Sequence, residues 1–455
     1  MPVHPVGPVA PRPRHRARRR SRGAVVVAAA LALTLLAVAC SGSSDKKTTA
    51  SPGTTAGPGY PGFNDPTDPF YIAPNPLPAG QPGEIIRQEP FPGAPAGAQA
   101  WRVIYHSTAV DGHDIAVSGV IIAPTGPAPT GGRPILSWAH PTTGVADTCA
   151  PSVLSSFWAL IPGLSQFLAA GYAVAATDYE GLGTAGVHPY LVGESEGRGV
   201  LDAARAARNI ADAGAGTRLL VWGHSQGGQA ALFAGQLAPT YAPELTLAGV
   251  AAAAPAGELA KLLELQQADA TGVVLGAYAM NAYLAVYGPA HADMGLDQVV
   301  TPAGQSAMAQ IVPLCNLTQA DQMAPIVAPV IGKFFRPGAG DQQPWKQLLD
   351  ENSPGRQKTN VPVLITQGTA DAVVIPSTTI ELANAMCTMG DSLEVKLYDG
   401  VPHTTIGYVS AADVAAWLAA RLQGTAATPT CGSAMPTLPA PTTTSAAPTT
   451  TAAAP

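Results

Sequence analysis

Ser225 stands between Gly223 and Gly227 in the stretch VWGHSQGGQAAL, residues 221–232, directly after an apolar run. A hydroxyl is a weak nucleophile until a base takes its proton. It must also stand clear of its neighbours to attack. A strand that turns sharply into a helix presents one side chain at the bend, and the flanking positions then need residues without bulk. The spacing predicts such a turn at Ser225, although taken alone it also describes a helix N-cap serine. Other segments must supply a base, an acid and donors for a developing oxyanion.

His403, in DGVPHTTIG, is expected in the loop between the last strand and the last helix, where it would act as general base. Among the nine histidines, His4 and His15 fall in the leader, His106 and His113 on an early hairpin, and His224 beside Ser225 but directed away from it. Asp371, in QGTADAVVIP, follows the apolar run VLITQ and is the expected carboxylate that orients the imidazole. Asp399, in LYDGVPH, is the second choice. The bland alternatives are a capping aspartate and a surface histidine. The stretch SWAHPTTGVADTCAPS, residues 137–152, follows another strand-like run. There a backbone amide of Thr142 or Thr143 would join the Gln226 N–H as oxyanion donor. His140 would shape this loop rather than serve as the base.

The chain order Ser225, Asp371, His403 is the nucleophile, acid, base order of α/β-hydrolases. Bringing these residues together requires a sheet whose strands end at one edge. Apolar runs at 134–140, 172–178, 218–224, 245–255, 361–368 and 393–400 read as buried parallel strands. An antiparallel pair at 101–109 and 115–124 precedes them. Helical patterns at 194–213, 226–238, 376–389 and 410–422 alternate with the strands, giving an α/β class with a mostly parallel sheet flanked by helices. Reacting groups in such a sheet gather at the carboxyl ends of its strands. Residues 256–356 interrupt the alternation and are expected as a helical cap between the sixth and seventh of these strands. Residues 81–255 and 357–423 would form the sheet domain. Within the cap, 272–288 is apolar almost all round, yet short for a membrane span and interrupted by Asn281. A second apolar patch, 322–338, holds Phe334 and Phe335.

The chain has 455 residues, 47% hydrophobic and 12% charged, with 48 Gly and 45 Pro, so a large core and long unstructured segments are both expected. Seven arginines between residues 12 and 22 precede an apolar run broken only by Thr34, then AVAC at 37–40. Residues 1–39 therefore read as an export signal, and Cys40 as a lipid-modified cysteine resembling that of a bacterial lipobox. A plain secretory signal with an incidental cysteine is the alternative. Residues 40–80 would be a flexible tether and 424–455 a Thr/Pro/Ala-rich disordered tail. Loss of the leader takes the net charge from −6 to −13, which argues against nucleic-acid partners. Four cysteines remain, and an even count in an exported chain predicts two disulfides with three connectivities. Neither a C-x-x-C pair nor a histidine cluster points to a metal.

Six segments, HPTTGVADTCAPS, TDYEGLG, LVGESEGRGVLDAARAARN, GHSQGG, QGTADAVVIP and VPHTTIG, together resemble the secretory lipase family of fungi and actinobacteria. The resemblance runs from about residue 80 to 423 and implies an α/β-hydrolase fold. It implies a Ser225, Asp371, His403 triad, an oxyanion donor near Thr143, and disulfides Cys149–Cys315 and Cys387–Cys431. Hydrolysis of carboxylic esters beneath a lid over an acyl-chain tunnel is the implied activity. The HPTTG loop departs from the fungal pattern in lacking an acidic residue. The expected protein is thus an exported serine hydrolase of lipid or acyl esters, with no cofactor and a membrane anchor at Cys40. A cell-envelope acyltransferase using the same acyl-enzyme, or a non-catalytic surface lipoprotein, are the alternatives.

Overall fold

The computed structural model describes residues 68–438 apart from 155 and 434. The leader, Cys40, most of the tether and the last part of the tail lie outside the described residues.

Nine strands form one sheet: β1 Ile85–Pro90, β2 Ala98–Thr108, β3 Asp114–Pro124, β4 Arg133–Ala139, β5 Ala173–Thr177, β6 Ala215–His224, β7 Thr246–Ala253, β8 Val363–Gly368 and β9 Leu393–Tyr398. Their spatial order is β1-β2-β3-β5-β4-β6-β7-β8-β9. The first three pair antiparallel, β3 meets β5 antiparallel, and every pair from β5 to β9 is parallel. The apolar runs predict eight of these strands. β1 is additional, so the long insertion falls between β7 and β8.

Successive strand residues point to opposite faces, and both faces are covered. Ile135, Leu219, Val221, Val250 and Ile365 share one core with α2 (Gly193–Asn209), α3 (Gln226–Tyr241) and α9 (Pro376–Thr388). Leu136, Trp138, Leu220, Trp222 and Leu364 share the other with α1 (Leu164–Ala169) and α10 (His403–Leu422). Near-continuous apolar strands are what burial on both faces demands.

Residues 254–362 carry five helices, α4 Leu259–Gln266, α5 Ala270–Tyr287, α6 Pro302–Ile311, α7 Ala320–Val327 and α8 Trp345–Glu351. They enclose a core of their own around Tyr278, Met280, Tyr283, Phe334, Phe335 and Trp345. Phe334 and Phe335 are therefore interior residues. A Cβ on Gly276 would lie 2.2 Å from Cζ of Phe335, so the glycine lets that ring press on α5.

Two expected boundaries shift. Phe70 and Tyr71, placed by the sequence in the tether, are buried, and Arg87 donates to the carbonyls of Pro69 and Phe70. At the other end Thr430, placed in the tail, donates its N–H to Leu393 and accepts from Val395 N–H at its hydroxyl. Low-complexity composition hid both, because one aromatic pair and one disulfide suffice to hold a few residues down. The cysteines pair as Cys149–Cys315 and Cys387–Cys431. The first bond joins the loop after β4 to the insertion, and the second holds the start of the tail to α9.

Candidate active site

β4, β6, β8 and β9 end at one edge of the sheet, and the segment after each carries one predicted functional group. After β6 the chain reverses at Ser225, whose φ of 60° and ψ of −119° are unusual for a residue with a side chain. The elbow is pinned to the strand beside it: Ser225 N–H donates to Ala253 O at 2.9 Å, and Ala256 N–H donates to Ser225 O at 3.2 Å. A Cβ on Gly227 would lie 1.9 Å from Ala139 O, so α3 starts hard against the end of β4. Gln226 is the first residue of α3, where a backbone N–H has no intrahelical acceptor and the helix dipole favours negative charge.

His403 Nε2 lies 2.9 Å from Ser225 Oγ, and His403 Nδ1 lies 2.7 Å from Asp371 Oδ2. Asp371 also accepts at Oδ1 from Val373 and Val374 N–H, each at 2.8 Å, and at Oδ2 from Gln367 Nε2 at 3.1 Å. A carboxylate so surrounded by donors only accepts. Nδ1 of His403 therefore donates to it, and Nε2 is left to accept from the Ser225 hydroxyl. Asp399 is not part of this chain: it is exposed and accepts from Thr369 Oγ1 at 3.0 Å.

The placement of His403 corrects the expectation of a loop. It is the first residue of α10, which begins seven residues before the apolar pattern at 410. His224 packs beside the base, its ring 4.8 Å from that of His403. Burial pushes the His224 pKa down to about 3, so this neighbour adds no positive charge beside the base.

In the loop after β4, the hydroxyl of Thr142 shares a 2.8 Å hydrogen bond with Tyr190, and its carbonyl accepts from Asn316 Nδ2 at 3.3 Å. Thr143 is 1% exposed, and its hydroxyl has no partner. The ring nitrogens of buried His140 face Pro141 O and Asp178 O, and Tyr179 donates to its carbonyl. Burial lowers its pKa to about 4.

Four residues escaped the sequence reading. Gln367 braces Asp371 and accepts from Thr379 Oγ1 at its own oxygen. His188 and Glu196 pack behind Gln226, and Tyr190 lines the cavity beside it. For Glu196 the sequence carries no signal, because a glutamate in GESEGRG on an amphipathic helix reads as solvated.

Beneath the insertion a cavity of about 70 Å³ reaches Ser225. Its walls are mostly apolar, including Leu259, Leu262, Leu275, Ala279, Met280 and Val374.

A parallel sheet that collects a serine, a histidine and an aspartate at its carboxyl edge defines an α/β-hydrolase. The chain belongs to the secretory lipase family, whose sequence model matches residues 160–430. Among its relatives, Lipase 6 of Candida albicans is 25% identical, with 80% of this chain and 83% of that protein aligned. A Mycobacterium tuberculosis protein named "Probable inactive lipase MT1628" is 26% identical over 78% of this chain and 82% of its own length. Two solved structures share the fold. Candida antarctica lipase A in its closed state superposes with a TM-score of 0.68 at 18% identity, covering 82% of this chain and 90% of that one. The rice cell wall degrading esterase LipA of Xanthomonas oryzae gives 0.62 at 20% identity, covering 76% and 98%.

Proposed function

We propose that this protein hydrolyses carboxylic esters with apolar acyl groups through a covalent acyl-enzyme at Ser225. The observation that carries this reading is the unbroken hydrogen-bond chain from Ser225 Oγ through His403 to Asp371, opening on an apolar cavity. Ser225 Oγ attacks the ester carbonyl carbon while His403 Nε2 takes its proton. Asp371 holds the imidazole in the tautomer that can accept, and stabilises the imidazolium that forms. The tetrahedral oxyanion is met by the Gln226 N–H at the start of α3 and by a backbone amide of the Thr142–Thr143 loop. His403 then returns the proton to the leaving alcohol, and water attacks the acyl-serine by the same route. Helices α4 to α8 act as a cap over the acyl group.

A relative named as inactive makes a retired hydrolase body the reading to beat. The intact contacts at all three residues of this chain favour an active enzyme. The test is turnover of p-nitrophenyl acyl esters and labelling by a fluorophosphonate, with Ser225→Ala losing both. Full activity in that variant would overturn the assignment.

Export fits the family, and we place lipid attachment at Cys40. Labelling by a clickable fatty acid, lost in Cys40→Ala together with membrane retention, would support the anchor. An unlabelled wild type would end that part of the proposal.

A further inference from the structure

Behind the nucleophile lies a buried polar cluster that the reaction as written does not use. Glu196 and His188 are 0% exposed and Gln226 is 1% exposed. His188 Nδ1 sits 2.8 Å from the carbonyl of Glu180, so it donates there and leaves Nε2 as an acceptor. Burial lowers the His188 pKa to about 3, which keeps the ring neutral. Gln226 Nε2 then donates one hydrogen to His188 Nε2 at 2.9 Å and the other to Glu196 Oε1 at 2.8 Å. Turning the amide over would set its oxygen against the lone pair of His188, so its orientation is fixed.

Two oxygens are left over. Glu196 Oε1 accepts twice, from Gln226 and from the Leu191 N–H at 2.8 Å, which is the full capacity of a carbonyl oxygen. Glu196 Oε2 and Gln226 Oε1 are both buried and both without a partner. Each belongs to a group already bonded to the other, and both are acceptors if the glutamate is ionised. One proton on Oε2 would supply a donor where both groups lack one and would let the acid and the amide pair through two hydrogen bonds.

We propose that Glu196 is a positioning residue held as the neutral acid: its Oε2–H donates to Gln226 Oε1, and this two-bond pair fixes the residue whose backbone N–H receives the oxyanion. The charged surroundings agree. The ionisable groups that face Glu196 are Tyr179 and Tyr190 from the segment before α2, Tyr283 from α5, and His188 through Gln226. None is a cation at neutral pH. Burial raises the Glu196 pKa to about 8. When the proton passes to solvent above that pH, two acceptor oxygens oppose each other and the amide is released. A negative charge then stands near the developing oxyanion.

The kinetic part of this inference rests on the ester-hydrolase reading. The protonation state does not. Turnover followed by pH-stat from about pH 6 to about pH 10 should show kcat falling about tenfold on the alkaline side, with KM little moved. Glu196→Gln replaces the acid by an amide that donates and accepts in the same places, and should flatten that limb. Glu196→Ala should lower kcat at neutral pH without the same loss in KM. An alkaline fall that persists unchanged in Glu196→Gln would overturn the proposal.

Infrared spectroscopy of the wild type decides the proton independently of any activity or variant. With ¹³C-labelled glutamate, a protonated-carboxyl stretch that shifts with the label should persist at neutral pH and vanish as the pH passes about 8. Absence of such a band at neutral pH would overturn the proposal, whether or not the protein turns over an ester.

Discussion

A Cβ on Gly223 would stand 1.9 Å from the carbonyl oxygen of Gly227. The obstacle is backbone, so no rotamer change relieves it. Gly223→Ala should therefore move the elbow and pull Ser225 off His403. We expect loss of soluble protein or a fall in turnover of at least ~100-fold, since displacement near 1 Å already costs that much. Near-UV circular dichroism alongside ester hydrolysis separates the two outcomes, and wild-type values in both would refute the close packing.

Asp399 lies four residues before His403 and Asp371 lies 32 residues before it, yet of the two only Asp371 touches the imidazole. Asp371→Asn should lower kcat by about 10⁴-fold by favouring the wrong imidazole tautomer. Asp399→Asn should cost less than about twofold, the ordinary effect of an exposed substitution. Comparable losses in the two variants would assign the acid wrongly.

The two disulfides close loops of different length, with separations of 166 and 44 residues. In the chain-entropy model they restrict the unfolded chain by about 5 and about 4 kcal/mol, respectively. Replacing each pair by Ala should lower the thermal midpoint, with Cys149/Cys315 the costlier pair. Calorimetry of the two double variants checks the order.

Stability should fall as the pH rises from about 7 to about 8. His140, His188 and His224 have pKa values lowered from 6.5 to about 4, 3 and 3 by burial. Their contribution is complete above their unfolded value and is lost on acidification. Asp178 and Asp391 are raised from 3.8 to about 6, and Glu196 from 4.5 to about 8, again by burial. Folded protein holds these protons longer, so that contribution is lost as pH rises. Above about pH 7 the unfolded histidines and the two aspartates are largely deprotonated, so Glu196 dominates there, and Glu196→Gln should abolish the fall in midpoint. A midpoint that climbs through this window would contradict the sign.

The sheet is legible in the sequence because strands buried on both faces are unmixed apolar runs. β1 is not, since IIRQEP is an edge strand with three polar residues and a proline, indistinguishable from loop. The Ser225 elbow is legible because backbone clashes on both sides exclude everything but glycine. The start of α10 is hidden: Pro402 and the polar HTT that follows carry no apolar period. Glu196 is hidden for a different reason. Its role depends on a proton and on a glutamine 30 residues away, and neither leaves a mark on local pattern.

Fastening the insertion at Cys315, near its midpoint, divides it into two leaves that share one rivet. The leaf before the rivet supplies every wall the insertion gives to the cavity except Leu349. A bulkier guest in the cavity would therefore press chiefly on that leaf. The rivet forms where thiols are oxidised, so in a reducing medium both leaves lose their disulfide tie to the loop that carries Thr142 and Thr143.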